Sequence, residues 1–428
     1  MKLTVQTVVL KDVRMGGKTE FIDSVMHISK SDVMALIDDE PAIPDMKVDI
    51  IKPGESCRVI NLVDIIQPRC KVEGNSDWPG VLSGDFEIAG CGTTRAVEGL
   101  GIVLCQNNCI WKGYTGMLDM TGAHTDNTPF STMPHIVIEP LAPETDFRDY
   151  REALRRIGLR LSIMIAQATL ATAADKTEVF DNGSHTPGLP NVAYSYQIYS
   201  KQYDTENYRE PMFYGQAVPD SLPLVVRPTE ALDGAISSCG GYRGMLTYEI
   251  QNHPVVSELF RRHGKELNFV GTIITVTAVE SIRRQLAAAM AANILKEVMR
   301  ADGVIVTKAH GGASTICVGA IASECEKIGI GAVPVIQVLN AQSNLSTECL
   351  FDDPRVDSIV QTGCYFHEES YPDVDKVYGG SQVFTDMRVS CRAYEGMHPA
   401  NKAFDIICNK HAGVTSQVGG GNIIAVDY

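Results

Sequence analysis

Residues 237–241 read Ser-Ser-Cys-Gly-Gly, with Gly234 just upstream. A thiol or hydroxyl set among glycines can attack the carbonyl of the residue before it. Glycine lets the chain turn sharply or take positive φ, and self-attack needs such an unusual backbone. Attack of the Cys239 sulfur on the Ser238 carbonyl would give a thioester. Elimination would then break the chain and leave a dehydroalanine on the downstream piece. Tautomerisation and loss of ammonia would make a pyruvoyl cap, an electrophilic carbonyl able to take an amine as a Schiff base. Ser237 and Ser238 are alternative precursors, since a hydroxyl makes the same acyl shift. The plain reading is a turn, the commonest use of small residues in such a stretch.

Two further stretches have residue types suited to binding. His310-Gly311-Gly312 could cradle an anion on backbone N–H groups, or could be a simple turn. Leu339-Asn340-Ala341-Gln342-Ser343 offers polar side chains after another strand-like run. Both follow predicted strands, and in parallel sheets ligands gather beyond the carboxyl ends of strands. His310, Gly311, Gly312, Asn340, Gln342 and Ser343 are therefore expected to face the substrate, close to Cys239. The twelve cysteines form no Cys-x-x-Cys pair, and Cys105 and Cys109 are the closest two. No metal site is expected, because further Cys or His at matching spacing is lacking. The thiols read as reduced, most of them core residues. A dinucleotide fingerprint, a Walker phosphate loop and a His-Glu-x-x-His motif are all missing.

The elements that must position these residues fall into two kinds. Residues 1–140 hold short β-rich runs, such as Val48-Asp49-Ile50-Ile51 and Arg58-Val59-Ile60-Asn61-Leu62-Val63, punctuated by Gly and Pro. A helix follows, with Thr145 or Asp146 as cap and Leu154, Ile157, Leu161, Ile165 and Ala168 on one face. Arg151, Arg155 and Arg156 lie on its other face and read as solvated rather than as an anion site. From about 190 the pattern alternates strand and helix, with strands at 192–196, 269–275, 303–307, 332–336 and 356–360. A Thr277-x-x-Glu280 capping box is predicted to open one helix. The expected fold is α/β: a β-rich N-terminal region (1–140), a segment with the helix and the start of the α/β region (141–238), and a parallel-sheet region (239–428).

The net charge of −15 argues against nucleic acid, whose binding needs clustered Lys and Arg. Hydrophobic residues at 44% and charged residues at 21% fit a soluble globular chain, and no apolar run is long enough for a membrane helix. The N-terminus alternates like a strand and lacks a signal-peptide core, so a cytoplasmic protein is expected.

Several blocks resemble the proprotein of component B in the glycine, sarcosine and betaine reductases, and more distantly that of D-proline reductase. They include Lys52-Pro53-Gly54-Glu55-Ser56, Ile65-Ile66-Gln67-Pro68-Arg69, Lys71-Val72-Glu73-Gly74 and Leu118-Asp119-Met120-Thr121-Gly122. Pro129-Phe130-Ser131, Pro228-Thr229-Glu230, Leu232-Asp233-Gly234-Ala235-Ile236 and Cys239 continue the series. Asn252, Pro254, 263–271 and Gly413-Val414-Thr415-Ser416-Gln417-Val418-Gly419 complete it. The resemblance implies self-cleavage into two subunits, with a pyruvoyl group from Cys239 on the downstream one. It implies a hetero-oligomer that binds a small amine. The selenoprotein subunit of component B displaces the amine, selenoprotein A and a thioredoxin-type system supply electrons, and component C forms acetyl phosphate. Two places depart from the family pattern. Ser238 stands where Asn commonly precedes the processing Cys, and residues 337–345 replace an acidic Gly/Arg stretch that ends in Ser-Gln-Ser-Leu. The second departure leaves the identity of the amine open. Alternative readings are an unprocessed paralogue that binds within the reductase complex, a reductase for a different amine, and a pyruvoyl-dependent decarboxylase.

Overall fold

The computed structural model describes residues 2–83, 86–107, 116–122, 127–141, 147–200, 212–238, 245–338, 349–364, 368–385, 397–419 and 424–427. Within them the chain forms an α/β structure whose first part is β-rich and whose second part is built on a mostly parallel sheet.

The β-rich part contains a sheet ordered Gly116–Asp119, Cys57–Ile66, Gly101–Cys105, His135–Pro140 and Met46–Ile51. Side chains on a strand alternate between faces. Here Ile102, Leu104, Ile136 and Ile138 enter one apolar cluster, while Val103, Cys105 and Val137 enter another. The sheet is therefore buried on both faces, which explains near-continuous apolar runs where half-buried strands would alternate. The long helix Phe147–Gln167 covers the first face with Leu154, Ile157, Leu161 and Ile165. Gly158 lets it come close, since a Cβ there would sit 2.8 Å from a Leu104 methyl. A second sheet is ordered Lys176–Asp181, Lys2–Val9, Gly92–Glu98 and Arg69–Gly74.

The seven-stranded sheet runs Leu224–Val226, Asn268–Thr277, Asn191–Ser200, Gly303–Thr307, Gly331–Val338, Ser358–Cys364 and Ile424–Asp427. The five inner strands are parallel and the two outer ones antiparallel. Helices Ser281–Asn293 and Ala313–Lys327 cover one face through Ala193, Ile273, Val304 and Val306. The other face, with Tyr194, Tyr196 and Ile274, packs on Leu3, Val5 and Ala96 of the second β-rich sheet. Ala231, Leu232, Ala235 and Ile236 lie within that same cluster. The segment leading to Ser237 is thus built into the junction of the two regions.

Two local expectations are corrected. The strand runs through Thr277, whose hydroxyl shares a 2.7 Å hydrogen bond with Ser314, so it caps nothing; the helix starts at Ser281. Arg151 and Arg155 are not solvated: each is only 4% exposed. Arg151 donates to Gln106, and Arg156 and Arg160 both pair with the carboxylate of Glu40. The face opposite the sheet is covered by other parts of the chain, which a helical period cannot reveal. Among the described residues no helix is long and apolar enough to cross a membrane.

Arg58 and Asp119 form a fully buried ion pair at 2.6 Å on neighbouring strands. The guanidinium also donates to the carbonyls of Ala400 and Pro372, tying C-terminal segments to the N-terminal sheet. Removing one partner leaves an uncompensated buried charge. Asp119→Ala should therefore cost about 3–5 kcal/mol, read from the denaturation midpoint; a loss below about 1 kcal/mol would show that the pair is not the tie described.

Candidate functional site

The Ser-Ser segment is held from both sides before its chemistry begins. Helix Pro228–Leu232 opens with proline, which suits a first helical position. The Arg69 guanidinium donates to the Leu232 carbonyl at 3.0 Å. Asp233 accepts from the Lys71 ammonium at 2.8 Å, from the Thr94 hydroxyl at 2.6 Å and from the Gly90 N–H at 2.9 Å. Gly90 must lack a side chain, since a Cβ would fall 2.6 Å from the Thr229 hydroxyl. Gly234 takes φ +94° against the Trp78 ring. On the other side the Ser237 N–H donates to the Met212 carbonyl and the Tyr214 N–H to the Ala235 carbonyl. The blocks around Arg69, Lys71 and Asp233, far apart in sequence, are one contact set.

Ser237 and Ser238 are buried, Ser238 to 1% exposure. The Ser238 N–H donates to the Thr247 hydroxyl at 3.0 Å. That hydroxyl donates to Asp64 at 2.5 Å, and the Thr247 N–H donates to the other Asp64 oxygen at 2.8 Å. The Ser238 carbonyl accepts from the Arg155 guanidinium at 2.9 Å. Asp64 reaches this point because strand Cys57–Ile66 breaks register between Leu62 and Asp64, with Asn61 at φ +50°. A bulge of this kind re-aims a side chain. Burial raises the Asp64 carboxyl to about 6 against the opposing pull of its Thr247 hydrogen bonds. Burial likewise raises Glu249 to about 7, with the Asp64 charge adding to it. A carboxyl raised into this range is a group able to take or give a proton, and Asp64 is linked through Thr247 to the Ser238 N–H.

A cleft opens beside Ser237 and Ser238. Its wall includes Tyr196, Gln197, Met212, Met245, Lys308, Ala309 and Gln417. Lys308 is buried and donates to the Gln337 carbonyl at 2.6 Å; the Ala309 N–H donates to the Gln197 amide oxygen at 2.9 Å. The Gln197 amide nitrogen and the Gln417 amide oxygen are buried without a hydrogen-bond partner among the described residues. The donor and the acceptor are groups of the kind that bind a polar molecule.

The strand Gly303–Thr307 thus delivers Lys308 and Ala309 to the cleft that holds Ser237 and Ser238. His310, Gly311 and Gly312 follow in the turn before helix Ala313–Lys327 and are not part of the described lining. Cys239, Asn340, Gln342 and Ser343, and the cap residues Thr145 and Asp146, lie outside the described residues. Asp64, Thr247 and Gln197 are not singled out by the sequence, and Arg155, weighed there as an anion site, reads as solvated. Lys308 sits next to the flagged His-Gly-Gly, and Gln417 lies inside a family-like block. Among the described residues no group of three or more His, Cys, Asp or Glu is placed to hold a metal ion. Cys57, Cys70 and Cys325 are raised to about 12 by burial, which marks them as inert core thiols.

Asp64 binds its proton more tightly in the folded chain than in the unfolded one, where its value is 3.8. Its contribution to stability is complete below that value and is lost as pH rises through about 6. Relative to Asp64→Asn, the wild-type chain should lose on the order of 3 kcal/mol between about pH 4 and pH 7. Parallel stability curves for the two proteins would show that Asp64 is not desolvated as described.

Residues 1–425 match the family of glycine/sarcosine/betaine reductase component B subunits. The chain is 29% identical to the glycine reductase complex component B subunits alpha and beta of Acetoanaerobium sticklandii, with both chains covered in full. It is 28% identical to the sarcosine reductase complex component B subunit alpha of Peptoclostridium acidaminophilum, over 89% of each chain. It is 26% identical to the betaine reductase counterpart from the same organism, over 89% of this chain and 88% of that one. No solved structure matches. The blocks that meet around Ser238 are thus parts of a family spread over the whole chain, and this protein belongs to the component B subunits of the glycine, sarcosine and betaine reductases.

Proposed function

We propose that this chain is the amine-binding subunit of a selenoprotein-dependent reductase, processed at Ser238–Cys239 so that the downstream fragment begins with a pyruvoyl group. The observation that carries this reading is the Ser238 carbonyl, buried and gripped by Arg155, next to a small cleft in a component B chain. The surroundings suit such a group: the cleft offers a buried amide donor from Gln197 and an amide acceptor from Gln417. When present, the pyruvoyl group supplies an electrophilic carbonyl for an amine. The protein works in the cytoplasm as part of a hetero-oligomer. Its partners are the selenoprotein subunit of component B, selenoprotein A and the acetyl-phosphate-forming component C.

Glycine, sarcosine and betaine differ at nitrogen but share a carboxylate one carbon away. That shared group is the natural ligand for Lys308, a buried cation on the cleft wall. Gln197 and Gln417 would orient the rest of a small molecule. His310, Gly311, Gly312, Asn340, Gln342 and Ser343 remain the proposed outer edge of this site. The reductive step belongs to a partner. A free thiol is only a few per cent ionised near pH 7, and burial raises the cysteines described above further.

Intact-mass measurement of mature protein should show fragments 1–238 and 239–428, the second blocked to Edman sequencing and reactive to hydroxylamine. A single full-length mass would favour the unprocessed paralogue. Cys239→Ala should abolish cleavage; persistence would move the precursor to Ser237 or Ser238. Lys308→Gln should weaken binding of all three amino acids about tenfold or more, the worth of one charge-assisted hydrogen bond. Equal affinities by calorimetry would remove Lys308 from the site. The processed chain with dithiol alone should release neither ammonia nor methylamine, and steady release without a partner would refute the division of labour.

A further inference from the structure

We infer that Arg155 is a catalytic residue of the self-cleavage, the donor that stabilises the oxyanion formed on the Ser238 carbonyl. This rests on the processing reading above and goes beyond it by naming the group that drives the first step.

The described contact falls on the carbonyl just before Cys239. The guanidinium nitrogen lies 2.9 Å from the Ser238 oxygen. Only the side chain of residue 239 reaches that carbonyl carbon through a five-membered ring. Ser238 would attack the carbonyl of Ser237, and Ser237 that of Ile236. The position of the cation therefore selects Cys239 over both serines as precursor. Arg155 is also almost fully buried, and a guanidinium is rarely so desolvated without reason. In a low-dielectric site a fixed donor gains strength as the carbonyl oxygen takes on full negative charge. The N–H of the same residue is held through Thr247 to Asp64, which anchors Ser238 next to its donor.

The chemistry balances with water alone. The Cys239 sulfur bonds to the Ser238 carbonyl carbon, and the oxyanion forms against Arg155. The C–N bond then breaks, the proton lost from the thiol ending on the freed amine, to give a thioester. Loss of the Cα proton of residue 239 breaks its Cβ–S bond, leaving a thiocarboxylate on Ser238 and an enamine on residue 239. The enamine takes a proton on Cβ, and water replaces its nitrogen as ammonia. A second water releases hydrogen sulfide from the thiocarboxylate. Nothing is oxidised or reduced overall.

The test follows precursor and fragments by intact mass during cell-free synthesis of the full chain. Arg155→Gln should slow cleavage about 10²-fold, as loss of one oxyanion donor does elsewhere. Arg155→Lys, which keeps the charge but not the reach, should slow it less. Hydroxylamine intercepts a thioester, so it should speed chain breakage in the wild type and have little effect in Arg155→Gln. A purely structural arginine would not produce that difference. Melting curves in the uncleavable Cys239→Ala background establish that each variant folds. If Arg155→Gln fails to fold, Arg155→Lys decides: slowed cleavage with an intact melt supports the role. A folded variant of either kind that cleaves at the wild-type rate overturns it. A wild-type chain that stays whole instead sinks the processing reading itself, so the two failures are distinguishable.

Discussion

A guanidinium buried against the Ser238 carbonyl constrains the structure around it. A cation taken from water must be repaid by fixed dipoles and charges, and these must come from a rigid setting. Arg155 stands on a long helix whose apolar face is locked onto a sheet buried on both sides. Asp64 contributes from a bulge in that same sheet. The helix, the bulge and the doubly buried sheet therefore serve one placement: a guanidinium donor and a carboxyl raised by burial on either side of one residue.

The chain around Ser238 is held by charges rather than by its own secondary structure. Helix Pro228–Leu232 is too short to be stable alone. Arg69 and Lys71, from the N-terminal half, grip Leu232 and Asp233 through charge-assisted bonds. Asn252, downstream of the segment, receives the other arm of Arg69. Chain cleavage at Ser238 would leave these grips intact, since partners on both sides of the break are anchored to the β-rich part. The Arg58–Asp119 pair does the same for the C-terminal segments, with His411 accepting from the Asp119 N–H at 3.3 Å.

The cleft brings a second logic to the same residues. It is made where the parallel sheet ends, the usual place for a ligand in such folds. Lys308 arrives at the end of its strand, and Gln417 comes from the distant C-terminal block. Lys308 and Gln417 therefore share one wall with Ser237 and Ser238.

From sequence alone, periodicity places strands near 269–275 and 303–307, because local hydrophobic pattern and Gly punctuation are local facts. Gly-flanked Ser237-Ser238-Cys239 and the ordered family-like blocks were equally legible. Arg155 was not: it repeats at helical spacing with its neighbours, and nothing local separates a solvated arginine from one covered by another segment. Asp64 was hidden for a different reason, since a one-residue bulge changes the face on which every later side chain falls. Thr277 reads as a cap by spacing, yet its strand pairs to the end and claims it. Residue types and order settled which chemistry was available. Long-range packing decided which carbonyl the cation reaches, because burial and a 2.9 Å contact between residues 83 positions apart are properties of the folded chain only.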